Sequence, residues 1–272
     1  MKISFGRYYP GDSLLHRMDP RMKMVLCFLF LFTFFSLTHF SSLLVAAVAV
    51  FLLILASKLP VRVVWSSVRP VLILILFIFV MNIITTRTGA PLLTWWILKI
   101  TDEGVNRAAF MAIRLVLIVI GTSIFLTLTT TALLLSDSLE SLFSPLKKIR
   151  FPVHEMAMIL SIALRFIPSI AEETDKIMKA QASRGAKYDT GRFTDRIRGY
   201  MTVLIPLFIS AFKRAEDLSY AMEARCYRGG EGRTKMKVMK TTRRDWILFA
   251  LMTLLCIFLF VLDFALKGSI SI

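Results

Sequence analysis

Cysteine and histidine are scarce in this sequence, which removes several kinds of chemistry from consideration. Its 272 residues include three cysteines and three histidines. No histidine pairs with a cysteine or a carboxylate at the spacing of metal ligands, and the positions of the cysteines suggest no disulfide. The sequence also has no Gly-x-x-x-x-Gly-Lys-Ser/Thr loop, so the chain cannot itself be a phosphate-loop ATPase. We therefore expect no metal site and no ATPase centre in it.

Charged side chains are absent from residues 24–57. A single helix of that length would extend about 50 Å, whereas the hydrocarbon core of a bilayer is about 30 Å thick. The run therefore predicts two membrane passes that turn near residues 36–42. Three further apolar stretches predict passes at residues 70–86, 105–131 and 246–266. With 56% hydrophobic residues, the chain is expected to be an all-α polytopic membrane protein with about five transmembrane helices.

Lysine and arginine are distributed unevenly between the ends of these passes. Five precede the first pass, three lie between the second and third, and 21 lie in residues 136–245. Because cytoplasmic loops carry an excess of Lys and Arg, the N-terminal segment (1–23) and the insert (136–245) are predicted to be cytoplasmic. Residues 24–135 then hold four passes, and residues 246–272 hold the fifth with a short external C-terminus. The external segment 89–104 is interpreted as a plain loop, with a short re-entrant or surface element as the alternative.

The insert of residues 136–245 is too polar to span a membrane, yet it keeps apolar residues at helical spacing. Residues 154–183 and 193–225 each form one apolar stripe with charged residues on the opposite face. The stripes predict two long amphipathic helices that lie below the membrane, kinked or broken at Pro168 and Pro206. The net charge of the insert, +8 from 21 basic and 13 acidic residues, also favours contact with anionic membrane lipid.

Each of these two helices ends in a small residue followed by an arginine. The first ends in Ala182-Ser183-Arg184-Gly185 and the second in Ala224-Arg225-Cys226. An arginine at this position can simply neutralise the helix dipole, an effect of about 0.3 to 1 kcal/mol. Its planar guanidinium can also enter an acidic or carbonyl-lined groove of a partner and donate several hydrogen bonds. Two copies 41 residues apart favour docking on a partner with two equivalent grooves.

Together these segments resemble the transmembrane T component (EcfT family) of energy-coupling factor (ECF) transporters for vitamins and micronutrients. The resemblance covers nearly the whole chain. It includes residues 9–23, which lead into the first helix, the two arginine motifs, which are similar to the family's paired Ala-Arg-Gly signatures, and the tract 228–234. Ser183 stands where Ala is usual in the signature, and Cys226 stands where Gly is usual.

The resemblance implies that the two motifs dock on two cytosolic ABC-type ATPase subunits. Arg184 and Arg225 would each insert into one subunit, and those subunits would use ATP and magnesium while this chain binds no cofactor. The docking residues would be Ala182, Ser183, Arg184, Gly185, Ala224, Arg225 and Cys226. Since Cys does not adopt left-handed backbone angles freely, the second helix is capped either at Cys226 or at Gly229 or Gly230.

The resemblance also implies a second partner, a small membrane-embedded substrate-binding S component, either dedicated or one of several interchangeable ones. The apolar faces of the two helices would hold it, through Ile197, Met201, Leu204, Ile205, Phe208, Phe212, Ile159, Ala163 and Ile167. Motion of the ATPase subunits would move the helices and tip the S component, which would release its vitamin. The complex would reside in the bacterial cytoplasmic membrane.

An ion-coupled secondary transporter, or another polytopic permease, is the main alternative. Such proteins keep ionisable groups inside the bilayer, and Arg114 and Asp263 lie within predicted passes without a partner that the sequence identifies. A membrane-embedded enzyme is a further alternative, with His16 near Asp12 and Asp19 as its best candidate, but no nucleophile motif accompanies them. A nucleic-acid partner is not expected, because the topology already accounts for the basic composition.

Overall fold

The computed structural model describes residues 9, 11–86, 88–95, 98–149, 151–186, 188, 193–229 and 241–269. Ten α-helices and one two-stranded sheet account for most of the described residues. The prediction of an all-α polytopic membrane protein is confirmed. The chain divides into two compact units: Leu139–Lys237 makes up most of one, and Gly6–Ser138 with Val238–Ile272 makes up the other. The first has bounds close to those of the predicted insert, residues 136–245.

The helices vary in length from one turn to about nine. In chain order they are α1 Leu14–Arg17, α2 Pro20–Ser36, α3 Phe40–Ser57, α4 Val61–Val68, α5 Leu72–Thr85, α6 Asp102–Thr122, α7 Ala132–Leu142, α8 Val153–Ser183, α9 Phe193–Ala224 and α10 Arg243–Ser269. Three irregular helical segments adjoin them: the 3₁₀ turns Arg69–Val71 and Ser144–Ile149, and the π-helical segment Ser123–Leu128 that extends α6.

Side-chain caps fix where the first two helices begin. The carboxylate of Asp19 accepts a hydrogen bond from the N–H of Arg21 at 2.9 Å, and Ser13 Oγ accepts one from the N–H of His16 at 3.3 Å. The imidazole of His16 also contacts Ser13 Oγ at 2.6 Å and the carbonyl oxygen of Tyr9 at 2.9 Å. These contacts place His16 in the local structure that leads into the first membrane helix.

Five helical segments of the described residues are long and apolar enough to cross a membrane. They are Phe40–Ser57, Val61–Thr85, Asp102–Leu126, Val153–Ser183 and Arg243–Leu266. Three of them overlap the passes predicted at residues 70–86, 105–131 and 246–266. The predicted turn near residues 36–42 is also present, because the chain leaves helical conformation at residues 37–39.

α2 and α8 depart from the assignment made on the sequence. α2, the predicted first pass, has 17 residues and would extend about 26 Å, slightly less than the hydrocarbon core of a bilayer. α8 has 31 residues and is the least apolar of the five segments, yet its length and composition would allow it to cross a membrane. Its position below the membrane stays a prediction.

Residues 89–104, interpreted from the sequence as a plain loop, contain a β-hairpin. Strands β1 (Pro91–Trp95) and β2 (Leu98–Thr101) pair in antiparallel orientation. The loop interpretation was wrong, because aromatic and β-branched residues in this segment favour a pleated chain. Thr101 also starts the next helix, since its Oγ accepts a hydrogen bond from the N–H of Gly104 at 3.2 Å and so caps α6.

We call the unit made of Gly6–Ser138 and Val238–Ile272 the membrane unit; its core is formed where α2, α3, α6 and α10 meet. Phe30 of α2 is buried, with its ring centroid 4.2 Å from that of Phe34 and 5.7 Å from that of Phe125. Gly121 of α6 faces the same ring, and a Cβ at that position would lie 2.2 Å from it. Because lipid is as apolar as these side chains, close packing rather than exclusion from water stabilises such contacts in a bilayer.

Candidate functional site

Two backbone hydrogen bonds close the C-terminus of α8. The N–H of Gly185 donates to the carbonyl of Ala182 and the N–H of Ala186 donates to the carbonyl of Gln181, both at 3.0 Å. Gly185 has a φ of +88°, the left-handed conformation that this arrangement, a Schellman cap, requires. Arg184 directly precedes that glycine and is exposed. α8 therefore carries a guanidinium at its tip.

The C-terminus of α9 is closed in the same way. The N–H of Cys226 donates to the carbonyl of Glu223 at 2.8 Å, and the N–H of Tyr227 donates to the carbonyl of Met222 at 3.0 Å. Cys226 has a φ of +54° and occupies the left-handed position that Gly185 occupies in α8. A non-glycine residue in this conformation is strained by about 1 to 2 kcal/mol.

The position of the second cap decides between the alternatives that the sequence left open. α9 ends at Ala224 and its cap is centred on Cys226. Gly229 also has a positive φ, +86°, but it follows the end of the helix and does not form its cap. Capping at Gly229 or Gly230 was therefore the wrong alternative, and Gly230 itself lies outside the described residues.

Arg184 and Arg225 are structurally equivalent residues. Each is the last residue before the left-handed position of a Schellman cap, and each is exposed. Among the described residues, neither guanidinium has a hydrogen-bond or ion-pair partner. The seven residues predicted to dock on a partner all lie in these two caps, and all are exposed: Ala182, Ser183, Arg184, Gly185, Ala224, Arg225 and Cys226.

A polar cluster that the sequence analysis did not identify joins α8 to α9. Arg214 of α9 forms an ion pair with Glu173 of α8, and its other terminal nitrogen donates to Ser169 Oγ at 2.8 Å. Ser210 Oγ donates to the second carboxylate oxygen of Glu173 at 2.5 Å. We call these four residues the junction. Its charged groups are about one quarter to one third exposed, so the pair is partly shielded from water.

The spacing of the junction residues contains a signal that the sequence analysis missed. Glu173 and Arg214 are 41 residues apart, as are Ser169 and Ser210. The same separation relates Arg184 to Arg225. Each arginine tip therefore lies eleven residues beyond its own helix's member of the ion pair, which corresponds to about 16 Å along the helix. The two helices present their tips at equal distances from the point where they are joined.

Pro168 and Pro206 do not interrupt their helices. α8 continues from Val153 to Ser183 and α9 continues from Phe193 to Ala224. The prediction was that each proline kinks or breaks its helix; the break is wrong at both prolines, and the kink stays a prediction. A long helix can retain a proline when its other hydrogen bonds and its packing hold it, and here the junction begins at the residue after Pro168. Each arginine tip thus connects through unbroken helix to the rest of its stripe.

The apolar face of α9 is exposed over most of its length, and that of α8 is exposed in its N-terminal half. On α9 the side chains predicted to contact an S component are between 47% and 62% exposed: Ile197, Met201, Leu204, Ile205, Phe208 and Phe212. On α8, Ile159 and Ala163 are exposed and Ile167 is half-buried. An apolar surface of this extent is covered by lipid or by another protein.

Comparison with known proteins shows the family to which this chain belongs. A family described as cobalt transport protein (CbiQ) matches residues 11–236. The energy-coupling factor transporter transmembrane protein EcfT of Ruminiclostridium cellulolyticum is 47% identical, over 89% of this chain and 90% of its own length. EcfT of Clostridium kluyveri is 45% identical over 90% of this chain and 91% of its own length, and EcfT of Bacillus subtilis is 39% identical over 94% and 97%. The chain belongs to the EcfT family.

Membership of the EcfT family confirms the resemblance found in residues 9–23, the two arginine motifs and the tract 228–234. The chain is a multi-pass transmembrane component of an energy-coupling factor transporter. Sequence identity of this extent fixes the family and leaves the role of individual side chains to the geometry.

In this EcfT family member, Arg114 stabilises the end of α2. Its guanidinium donates a hydrogen bond to the carbonyl oxygen of Phe35 and lies 5.4 Å from the centroid of the Phe35 ring. Carbonyl groups in the last turn of a helix have no partner within the helix, and a cation there also complements the helix dipole. The partner of Arg114 is therefore backbone, which no sequence pattern shows.

Asp263 performs the complementary task at the start of α3. Its buried carboxylate accepts hydrogen bonds from the N–H groups of Thr38 and His39 at 3.0 to 3.1 Å, and from the hydroxyls of Thr38 and Ser42 at 2.9 and 2.5 Å. A negative charge beside a helix N-terminus is favourable. Arg114 and Asp263 thus both hold the break between α2 and α3, where backbone groups would otherwise lack partners.

Lys23 is a third charged residue whose place the sequence did not predict. It was counted among the basic residues at the cytoplasmic side, yet its side chain is only 1% exposed. Its ammonium donates to the carbonyl of Thr129 at 3.1 Å and to the hydroxyls of Thr129 and Thr130 at 3.4 and 3.2 Å. All three donors of the ammonium are therefore used. Lys23 thus links the start of α2 by hydrogen bonds to the residues that follow the π-helical segment.

Proposed function

We propose that the chain is the coupling subunit of an ATP-driven importer for a vitamin or micronutrient. It would transmit the motion of two cytosolic ATPase subunits to a membrane-embedded S component, and it would itself be non-catalytic. The relatives' name, energy-coupling factor transporter transmembrane protein, supports a place in such a complex. ATP and magnesium would be bound by the ATPase subunits alone.

The observation that carries this proposal is the equivalence of the two helix tips. Arg184 and Arg225 sit in matching caps, both exposed. A helix dipole would be complemented equally well by a cation anywhere in the last turn, so the dipole does not account for the repeated position. Two equivalent arginine tips on one chain suit a partner that offers the same groove twice, as a pair of similar ATPase subunits would. Each guanidinium can donate several hydrogen bonds to carboxylate or carbonyl groups there.

The junction gives the proposal its mechanical step. Because Glu173 and Arg214 join the helices at one point, a change in the separation of the two tips becomes a change in the angle between α8 and α9. The exposed apolar faces lie on the same unbroken helices and would change their relative position with that angle. An S component bound across both faces would be displaced when the ATPase subunits approach or separate.

Co-purification tests the docking of the tips. The tagged chain is isolated with its ATPase subunits as wild type, as Arg184→Glu, as Arg225→Glu and as the double variant. We expect each single variant to retain less ATPase and the double variant to retain less than a tenth of the wild-type amount, since each reversal replaces several donors with a repelling charge.

The matched control reverses two other exposed arginines of the same helices, Arg165→Glu with Arg198→Glu, far from the caps. This variant changes the net charge by the same amount and is expected to retain the ATPase subunits. If the Arg184→Glu/Arg225→Glu variant retains its ATPase subunits and transports normally, the two arginines do not dock on those subunits.

The S-component surface is tested on α9. Replacing Phe208 and Phe212 with Gln puts two polar groups on the exposed face, and we expect S-component retention and substrate uptake to fall while the ATPase subunits stay bound. Tyr220→Gln is the control, because Tyr220 is equally exposed, at 61%, but lies beyond the junction. Retention of the S component by the double variant would exclude this surface.

The native cysteines test the proposed orientation. Cys226 is exposed, whereas Cys27 and Cys256 are buried. The labelling is done on vesicles that contain this chain without its partners. If the α8–α9 unit is cytoplasmic, a membrane-impermeant maleimide should label Cys226 in inverted vesicles and should not label it in right-side-out ones. Labelling of right-side-out vesicles would place the unit outside and end the ATPase proposal.

The ion-coupled alternative makes a different prediction. A secondary transporter would accumulate substrate in proteoliposomes that contain this chain alone, driven by an ion gradient and without ATP. We expect no uptake under those conditions, and ATP-dependent uptake once ATPase subunits and an S component are added. The engagement of Arg114 and Asp263 with backbone at the α2–α3 break argues against an ion relay through them.

A further inference from the structure

A cavity of about 710 Å³ lies in the membrane unit between α1, the end of α3 and the start of α10. α1, the end of α3 and the start of α10 all lie on the side of the membrane that the sequence predicts to be cytoplasmic. The cavity is lined by Asp12, Ser13, Leu14, Arg17, Leu55, Ala56, Lys58, Thr242, Arg243, Arg244, Asp245 and Leu248. Its size is within the range of sites that hold small organic ligands.

Positive charge predominates in this lining. Four cations face two carboxylates, and both carboxylates are already engaged. Asp12 pairs with Arg17 at 3.4 Å, and buried Asp245 accepts hydrogen bonds from the N–H and hydroxyl of Thr242, both at 2.8 Å. Among the described residues, Lys58, Arg243 and Arg244 have no such side-chain partner. The lining thus carries a net charge of +2, and Lys58, Arg243 and Arg244 are the cations that no carboxylate of the described residues pairs with directly.

Two further features of the cavity favour a ligand that has an anionic group and an apolar tail. The first turn of α10 contributes the positive end of a 27-residue helix beside Arg243 and Arg244. The remaining wall is apolar, from Leu14, Leu55, Ala56 and Leu248, and Leu14 and Leu55 are 57% and 58% exposed. A charged half and an apolar half meet in one cavity at the end of a membrane helix.

We infer that this cavity binds the phosphate group of an anionic phospholipid from the adjacent leaflet. The phosphate would lie between Lys58, Arg243 and Arg244, and the first methylenes of the acyl chains would lie along Leu14 and Leu55. General attraction of anionic lipid rewards basic residues anywhere near the surface, whereas this cavity gathers them around one volume. The inference is independent of the ATPase and S-component proposal.

Lipid titration followed by native mass spectrometry tests the inference. The full chain is delipidated in mild detergent and titrated with phosphatidylglycerol or with phosphatidylcholine, and bound lipids are counted. We expect one phosphatidylglycerol molecule to bind at a lower concentration than all further ones. Phosphatidylcholine should show no such first, tighter binding step. Arg243→Gln with Arg244→Gln should weaken that first site about 30-fold, since each cation near an anionic lipid contributes about a fivefold factor.

Arg62→Gln with Arg69→Gln is the matched control, because it removes two exposed arginines of the same unit that do not line the cavity. It should retain the first lipid. Equal loss in both double variants, or none in either, would overturn the inference.

A third arm separates a lipid from free phosphate. Thermal unfolding of the delipidated chain is followed with millimolar inorganic phosphate and, separately, with phosphatidylglycerol. We expect stabilisation by the lipid that depends on Arg243 and Arg244, and none by phosphate. Stabilisation by phosphate alone, with the same dependence, would show a soluble anion site and overturn the assignment to lipid.

Discussion

Arg214 and Glu173 form an ion pair that joins α9 to α8 across a separation of 41 residues, the same separation that relates the tips Arg225 and Arg184. Ser169 and Ser210 flank the pair at the same separation, so each charged group has a hydroxyl from the opposite helix beside it. The junction is thus nearly symmetric between the two helices, and the two arms that extend from it to the tips are equal in length.

Reversing one charge of the junction should uncouple the transporter without removing its ATPase subunits. In Arg214→Glu, two partly buried carboxylates would repel each other and open the contact between the helices. The caps at Arg184 and Arg225 lie about 16 Å away and remain intact. We expect ATP-dependent uptake to fall at least tenfold in proteoliposomes of the complete complex, with ATPase retention unchanged within twofold.

The exchange of both charges is the control for that variant. In Glu173→Arg with Arg214→Glu, each ion again faces an opposite charge and a serine hydroxyl, because Ser169 and Ser210 can serve either ion. Uptake should recover to at least half of the wild-type rate. If the exchange transports no better than Arg214→Glu alone, the ion pair does not set the geometry of the two helices.

The two caps should respond in opposite ways to matched substitutions. Cys226→Gly places the residue that prefers φ near +54° at that position and should stabilise the end of α9 by about 1 kcal/mol. Gly185→Ala imposes the corresponding strain on α8, and only backbone strain, because no atom lies within 4 Å of the added Cβ. Hydrogen exchange of the cap amides measures both. Their exchange should slow about fivefold in the first variant and accelerate about fivefold in the second. Equal exchange rates in both variants would contradict the cap assignment.

The sequence predicted what depends on local pattern. The amphipathic stripes, the break near residues 36–42 and the arginine at each helix end follow from periodicity and residue type. The left-handed cap at Cys226 could not be chosen from the sequence, because local preference favours glycine there, whereas the structure closes the helix with hydrogen bonds from the N–H groups of Cys226 and Tyr227.

The partners of the isolated charges were outside the reach of sequence for another reason. Asp263 and Arg114 bind backbone groups that are 225 and 79 residues away, and backbone polar groups are present at every position. The junction was in principle accessible, since its members repeat at the 41-residue separation of the arginine motifs. A comparison of the two helices at that offset would have found Ser169 with Ser210.

Removal of the Asp263 carboxylate should destabilise the protein instead of blocking an ion pathway. Asp263→Ala leaves two backbone N–H groups at the α2–α3 break without their acceptor, and we expect the free energy of unfolding in detergent to fall by about 3 kcal/mol. Asp263→Asn keeps one acceptor oxygen and should lose about half as much. Asp217→Ala, at an exposed site on α9, is the control and should change stability by less than about 0.5 kcal/mol.

An ion relay through Asp263 would give the opposite pattern. Asp263→Asn would then abolish transport while the unfolding free energy stayed near the wild-type value. Measuring both quantities on the same preparation separates a structural carboxylate from a transporting one.

The contact of Gly121 with Phe30 should tolerate no added carbon. A Cβ at residue 121 would lie 2.2 Å from Cζ of the Phe30 ring, and that ring is confined by Phe34 and Phe125. Gly121→Ala must therefore push α6 away from α2 or force the ring off its rotamer, and overpacking of this kind costs about 1 to 3 kcal/mol. The free energy of unfolding in detergent should fall by that amount, although alanine is the better helix former.

A double-mutant cycle shows whether the loss comes from this contact. Phe30→Leu alone leaves a cavity and is destabilising, but in the Gly121→Ala background it removes the ring that the new methyl group meets. We therefore expect the double variant to be at least about 1 kcal/mol more stable than the sum of the two single effects predicts, because residues in direct contact are not additive. Additive effects would mean that α2 and α6 are not in contact through Phe30 and Gly121.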